Sequence, residues 1–332
     1  LRRTWKLFLQ NNSFVDQSEM YPYRKNVPFD ELFTKVPAEQ VARLKAFRLA
    51  HPYKQLTAGD EQWQYICCGR GEQTLLLLPG ALSVGESNFP LIAAFENEYR
   101  IIAPSYTLSL TMAGLCEGIF RILEAEAVNE VHVFGASYGG LVAQYFVRQH
   151  PAKVRSLILA HTFILTHRYA KPLWIAGKLF PALPHSLFVP LLKFRLDKVL
   201  LSTLRARNHP EAEFWRAYLN EAIASDLLKE VFIHQNKCLL DLTRQPQFTP
   251  DDLNQWHGKI LIIESDDDPA ISSRDRALLR NTYPRSQVHT FSDAGHASSI
   301  LRREEVVSVI RTFLHNVINQ PGSRFSILRN QG

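Results

Sequence analysis

Short unbroken apolar runs alternate with longer amphipathic ones along the first half of the chain. Residues 74–78, 131–134 and 156–160 are continuously apolar or nearly so, as in strands buried on both faces. Residues 100–103 form a shorter run of the same kind. Between them, residues 89–98, 108–127 and 141–147 have helical character. This βαβα alternation predicts a mostly parallel sheet covered by helices. Ahead of it, residues 54–68 alternate around Gly59 and Asp60, as in a two-stranded hairpin. Earlier still, Val41, Leu44, Phe47 and Leu49 follow Pro37 at helical spacing and stop near His51 and Pro52. That predicts an amphipathic helix in an extension that serves as scaffold.

Past residue 162 the pattern changes. No strand is predicted up to residue 251, only helical stretches over 173–180, 185–204, 212–224 and 225–242, with a break at Asn208-His209-Pro210. The sheet resumes at 259–264 and 287–291, separated by a helix over 273–282 and followed by one over 297–316. The expected organisation is an N-terminal extension (1–53), an α/β core (54–161 and 251–318), an inserted helical cap (162–250) and a flexible tail (319–332). Residues 172–192 are apolar enough to suggest a membrane span, but Lys178 and four prolines (172, 181, 184, 190) interrupt them, against a spanning helix. A cap over an apolar pocket is the preferred expectation, with Trp174, Phe180, Phe188 and Trp215 as pocket candidates or as packing within the cap. Membrane-surface contact stays open but is not favoured.

Composition narrows the classes. The 332 residues are 46% hydrophobic and 21% charged, as in a packed globular protein. The net charge of +6 is dispersed, without an aromatic-interleaved basic stripe, so no nucleic-acid partner is expected. The four cysteines lack metal spacing, and the simplest account is free thiols in a reducing, cytoplasmic setting. The apolar stretch at residues 7–9 is too short for a signal peptide. No dinucleotide fingerprint, phosphate loop or zinc motif is present, so neither a metal nor a cofactor is expected. Oligomeric state is not indicated.

The chemistry centres on Gly135-Ala136-Ser137-Tyr138-Gly139, a G-x-S-x-G between a predicted strand and a predicted helix. A sharp turn there lifts the serine hydroxyl above the sheet edge and requires small neighbours. A serine nucleophile needs a base, and the base needs an acid to fix its tautomer. Ser265-Asp266-Asp267-Asp268-Pro269 follows the 259–264 strand, and Gly295-His296 follows the last one. Asp268 is the first choice of acid, then Asp267, then Asp266, with at least one of them expected to cap the next helix. His296 is the expected base. His132 and His161 lie in or beside core strands and are expected to belong to the framework. Two N–H donors for an oxyanion are expected from Tyr138 and from Ala81, with Leu82 in reserve.

These three loops, in the chain order serine, acid, histidine, resemble the α/β-hydrolase superfamily over about residues 54–316. Residues 134–144 and 156–160, with Leu77-Leu78-Pro79-Gly80, resemble maspardin-like proteins of that superfamily. The superfamily resemblance implies a serine hydrolase that cleaves a carboxylic ester or related acyl bond of a small, apolar substrate through an acyl-enzyme. A C–C bond hydrolase or an acyltransferase with the same residues is an alternative. The maspardin-like resemblance implies another, a non-catalytic binding protein. Such proteins lack the histidine, and here Gly295-His296 is retained, which favours catalysis.

Overall fold

Eight strands form one sheet: β1 (Tyr53–Ala58), β2 (Glu61–Cys68), β3 (Thr74–Leu78), β4 (Arg100–Ser105), β5 (Val131–Ala136), β6 (Val154–Ala160), β7 (Lys259–Ser265) and β8 (Gln287–Phe291). Their spatial order is β1-β2-β4-β3-β5-β6-β7-β8. The β1–β2 and β2–β4 pairs are antiparallel and every later pair is parallel. A computed structural model of the chain describes residues 28–225 and 227–319. Most of the expected extension ahead of its helix, and nearly all of the expected tail, lie outside those residues.

The apolar runs become the centre of the sheet. All five residues of β3 are buried, as are the first five of β5. Helices α1 (Ala38–Ala50), α2 (Phe89–Phe95), α3 (Met112–Ala125) and α4 (Tyr138–Gln149) follow the predicted stretches. Helix α3 begins four residues later than its apolar pattern. Thr111 caps it, its side chain accepting from Gly114 N at 3.1 Å, and such a cap fixes a helix start better than periodicity does.

Between β6 and β7 the chain is helical: α5 (Ala170–Ala182), α6 (His185–Leu196), α7 (Ser202–Ala206), α8 (Ala212–Ile223) and α9 (Leu228–Leu242). The single helix expected over 185–204 is instead α6 and α7 joined by a π-helical turn at Asp197–Leu201. Helix α10 (Ser273–Thr282) precedes β8, and α11 (Arg303–Asn319) closes the described chain after a one-turn helix at Ser298–Leu301. Among the described residues no helix is long and apolar enough to cross a membrane.

The topology decides where chemistry can sit. Strands β3, β5, β6 and β7 run parallel and side by side, with Leu78 opposite Gly135, Ala136 opposite Ala160 and Ala160 opposite Ile263. The loops that follow them therefore meet at one edge of the sheet, the usual place for a site in an α/β fold.

Candidate active site

Ser137 sits at the tip of β5 with φ 54° and ψ −117°. That region costs a non-glycine residue about 1–3 kcal/mol. Two bonds hold the turn: Ser137 N donates to Ala160 O at 2.9 Å, and Thr162 Oγ1 donates to Ser137 O at 2.8 Å. At about 1 kcal/mol each, they offset a strain of this size. The turn also needs close backbone approach. A Cβ on Gly135 would stand 2.3 Å from Gly139 O, so neither a larger residue nor a looser turn fits there.

From this tip a hydrogen-bonded chain runs inward. Ser137 Oγ lies 3.0 Å from His296 Nε2, and His296 Nδ1 lies 2.8 and 2.9 Å from the two Asp268 oxygens. The Nδ1–H donates to the carboxylate, which leaves Nε2 free to accept the serine proton. Asp268 Oδ1 also accepts from Ala270 N and Ile271 N at 2.8 and 3.1 Å. Burial works against charge on Asp268, yet hydrogen bonds from His161 and His296 outweigh it and hold the carboxyl well below its usual range. Asp268 is thus a carboxylate at neutral pH.

The other two aspartates build the histidine loop. Asp267 Oδ1 accepts from Ala294 N at 3.0 Å and Gly295 N at 2.9 Å, while Asp266 accepts from Ser292 Oγ and Asp293 N. None of the three caps α10; Ser272 does so, accepting from Asp275 N. Gly295 takes φ +59°, and a Cβ there would lie 2.3 Å from Thr203 Oγ1. The loop that carries His296 is therefore packed directly under α7.

His161 was expected to be part of the framework, and it lies within the site. It stands at the tip of β6 with φ 48°. Its Nδ1 is 3.0 Å from Asp268 Oδ2 and its Nε2 is 2.6 Å from Ser298 Oγ. Burial lowers its pKa, against the pull of Asp268, so the ring is neutral and donates Nδ1–H. Two histidines therefore share one carboxylate. His132 keeps its expected framework role, bridging Ser156 Oγ and Gln73 Oε1 at 2.7 and 2.6 Å.

The residues expected to supply N–H donors, Tyr138 and Ala81, lie beside the serine. Tyr138 is the first residue of α4, and a helix's first N–H groups have no acceptor within the helix. Gly80 and Ala81 pass alongside: a Cβ on Gly80 would be 3.7 Å from Ser137 Cβ. Gln235, on α9, donates to Ala81 O at 2.7 Å and to Ser83 Oγ at 2.6 Å. An inserted helix thus fixes the loop after β3, a link that sequence reading missed.

A cavity of about 190 Å³ opens above Ser137 and His296. Its walls are mostly apolar: Leu91 and Phe134 from the core, Leu196, Leu200, Trp215 and Tyr218 from the inserted helices, and Ile300 and Val306 near the C-terminus. Of the four aromatic pocket candidates, only Trp215 lines it. Phe180 packs edge-on against Phe188 at 5.3 Å, and Trp174 faces solvent, 54% exposed.

Among the described residues two clusters could offer three ligand atoms to a metal ion: His51, Cys68 and Glu96, and His161, Asp268 and His296. In the first, burial and then the Glu96 charge push the Cys68 thiol up to about 12, which opposes the thiolate a metal requires. In the second, all three side chains already hydrogen-bond through the ligand atoms. Neither set fits an ion well.

The model of the alpha/beta hydrolase fold family matches residues 109–302. Maspardin of Danio rerio is 29% identical over 125 residues, 35% of this chain and 40% of maspardin; the chain thus spans less than half of that relative. The poly(3-hydroxyalkanoate) depolymerase of Ectopseudomonas oleovorans is 27% identical over 256 residues, 72% of this chain and 83% of that protein. Among solved structures, a thermophilic esterase of Thermogutta terrifontis shares the fold with TM-score 0.64 at 18% identity, over 80% of this chain and 98% of that one. A meta-cleavage product hydrolase of Pseudomonas fluorescens does so with TM-score 0.61 at 18% identity, over 79% and 97%. With the sheet order, the serine turn and the family match in agreement, this chain belongs to the α/β-hydrolase fold family.

Proposed function

We propose that this protein is a serine hydrolase that cleaves a carboxylic ester with an apolar acyl group. The observation that carries this reading is the unbroken chain from Ser137 through His296 to Asp268 at the floor of an apolar cavity. Ser137 Oγ attacks the ester carbonyl while His296 Nε2 takes its proton. The carbonyl oxygen becomes an oxyanion facing the N–H groups of Tyr138 and Ala81. The C–O bond breaks, and His296 returns the proton to the departing alcohol. A water molecule, deprotonated by His296, then hydrolyses the acyl-enzyme and frees Ser137. Asp268 holds the imidazole tautomer and stabilises the imidazolium. The inserted helices act as the cap that shapes the acyl pocket. The match to a relative named for depolymerising a poly(3-hydroxyalkanoate), a polymer joined by ester bonds, supports ester over C–C cleavage.

The test is labelling by a fluorophosphonate together with p-nitrophenol release from esters of increasing acyl length. The parent is expected to be labelled at Ser137 and to turn over. Ser137→Ala and His296→Ala are each expected to lower kcat by about 10⁴-fold or more. A parent that is neither labelled nor active overturns the reading and favours a non-catalytic binding protein.

A further inference from the structure

Helices α5 and α6 rest their inner sides on α9. Phe188 meets Phe180 at 5.3 Å and Phe232 of α9 at 6.5 Å, and Lys229 of α9 donates to Leu183 O at 2.6 Å. Their outer sides are apolar. Trp174, Ile175 and Leu179 form one stripe on α5, and Leu187, Leu191 and Phe194 form another on α6 at spacings of four and three. These six side chains are 47–72% exposed. Two apolar stripes of large residues on consecutive helices exceed the scattered exposure normal on a monomer.

The charges beside the stripes have one sign. Lys171 and Lys178 share the α5 face, and Lys193 and Arg195 flank Phe194; all four are exposed. Residues 162–196 contain no Asp or Glu. An isologous contact between two copies would bring these cations together with no acid of this stretch to pair them. The chain outside the described residues complements them no better, since residues 1–27 carry five Lys and Arg against two acids, and residues 320–332 carry two Arg and no acid. Exposed apolar side chains ringed by Lys and Arg fit an anionic lipid surface, where the apolar groups enter the acyl boundary and the cations meet the headgroups.

We propose that the outer face of α5 and α6 docks on an anionic membrane surface. The π-helical turn that continues α6 supplies Val199, Leu200 and Leu201 to the cavity wall, so docking brings the cavity close to the lipid. The inference goes beyond the proposed hydrolysis and is tested without it. The 332-residue chain is sedimented with phosphatidylcholine vesicles that contain about one third phosphatidylserine, and with pure phosphatidylcholine vesicles. Binding to the anionic vesicles is expected, at least about tenfold tighter than to neutral ones. Leu191→Glu with Phe194→Glu is expected to reduce it by about tenfold or more. Lys178→Ala and Lys193→Ala are each expected to cost about fivefold. Circular dichroism verifies that each variant is folded, and should the glutamate pair fail to fold, the lysine variants decide. Equal binding to neutral vesicles overturns the proposal, as does binding that none of these substitutions weakens. So does a parent that light scattering finds dimeric and the glutamate pair makes monomeric.

Discussion

At the scale of single residues, Asp268 is the most heavily used group in the site. It accepts from two histidines and two backbone amides, and only one of these bonds leads to Ser137. We expect His161 to act as a positioning residue for the carboxylate. His161→Ala removes one charge-assisted bond, and the lost geometry is expected to lower kcat about ten- to a hundredfold while KM changes little. Loss of packing alone would weaken binding as well, so a fall confined to kcat marks the positioning role. Steady-state kinetics of parent and variant measure that split.

His161 also shows where sequence reading stops. Ser137, Asp268 and His296 were legible as candidates because each lies in a loop after a predicted strand, in the chain order serine, acid, histidine. His161 follows a strand too, but without a motif, and its partner lies 107 residues away. Which aspartate meets His296 was legible only as a preference among three neighbours, since the distinction lies in which carboxylate points inward. Asp266 and Asp267 turned instead to backbone amides of the histidine loop.

At the scale of elements, Gln235 ties α9 to the loop that carries Ala81. Gln235→Ala frees the Ala81 carbonyl and the Ser83 hydroxyl. The loop should loosen, with kcat of the proposed reaction falling about tenfold and KM much less, because the bond holds the proposed oxyanion donor in place. Steady-state kinetics on a short ester measures the split. The orientation of the inserted helices could not be read in advance. Trp174 sits in the mostly apolar α5 and faces solvent, whereas Trp215 sits in the amphipathic α8 and lines the cavity. A helix that is apolar nearly all round does not declare its inner face.

His132 links β5 to β6 through Ser156 and to the residue preceding β3 through Gln73. Burial, and then the charge of Arg155, push its pKa down to about 3, while in the unfolded chain it lies near 6.5. The folded state thus keeps the ring neutral where the unfolded chain would protonate it. Stability is fully present above pH 6.5 and is lost as pH falls toward 3, by up to about 1.4 kcal/mol per pH unit. His161, also depressed, adds in the same direction. Melting temperatures between pH 7 and pH 4 are expected to fall less steeply in His132→Asn than in the parent, which a calorimetric series would measure.

At the scale of the whole molecule, the strand alternation and the helical insertion were written in the apolar pattern, because burial on both faces of a parallel sheet leaves continuous runs. Strand order was not, since it depends on pairings between distant segments: β3 pairs with β5, and β6 with β7 across the whole insertion. That order has a kinetic consequence. Ala81, Ser137, Gln235, Asp268 and His296 come together only after the longest loops have closed, the slowest part of assembling such a sheet. Turnover regained after dilution from denaturant should therefore lag the return of helical signal. The proposed hydrolase would be silent in any half-folded state, and at the proposed lipid surface it would expose no competent nucleophile until the sheet has closed.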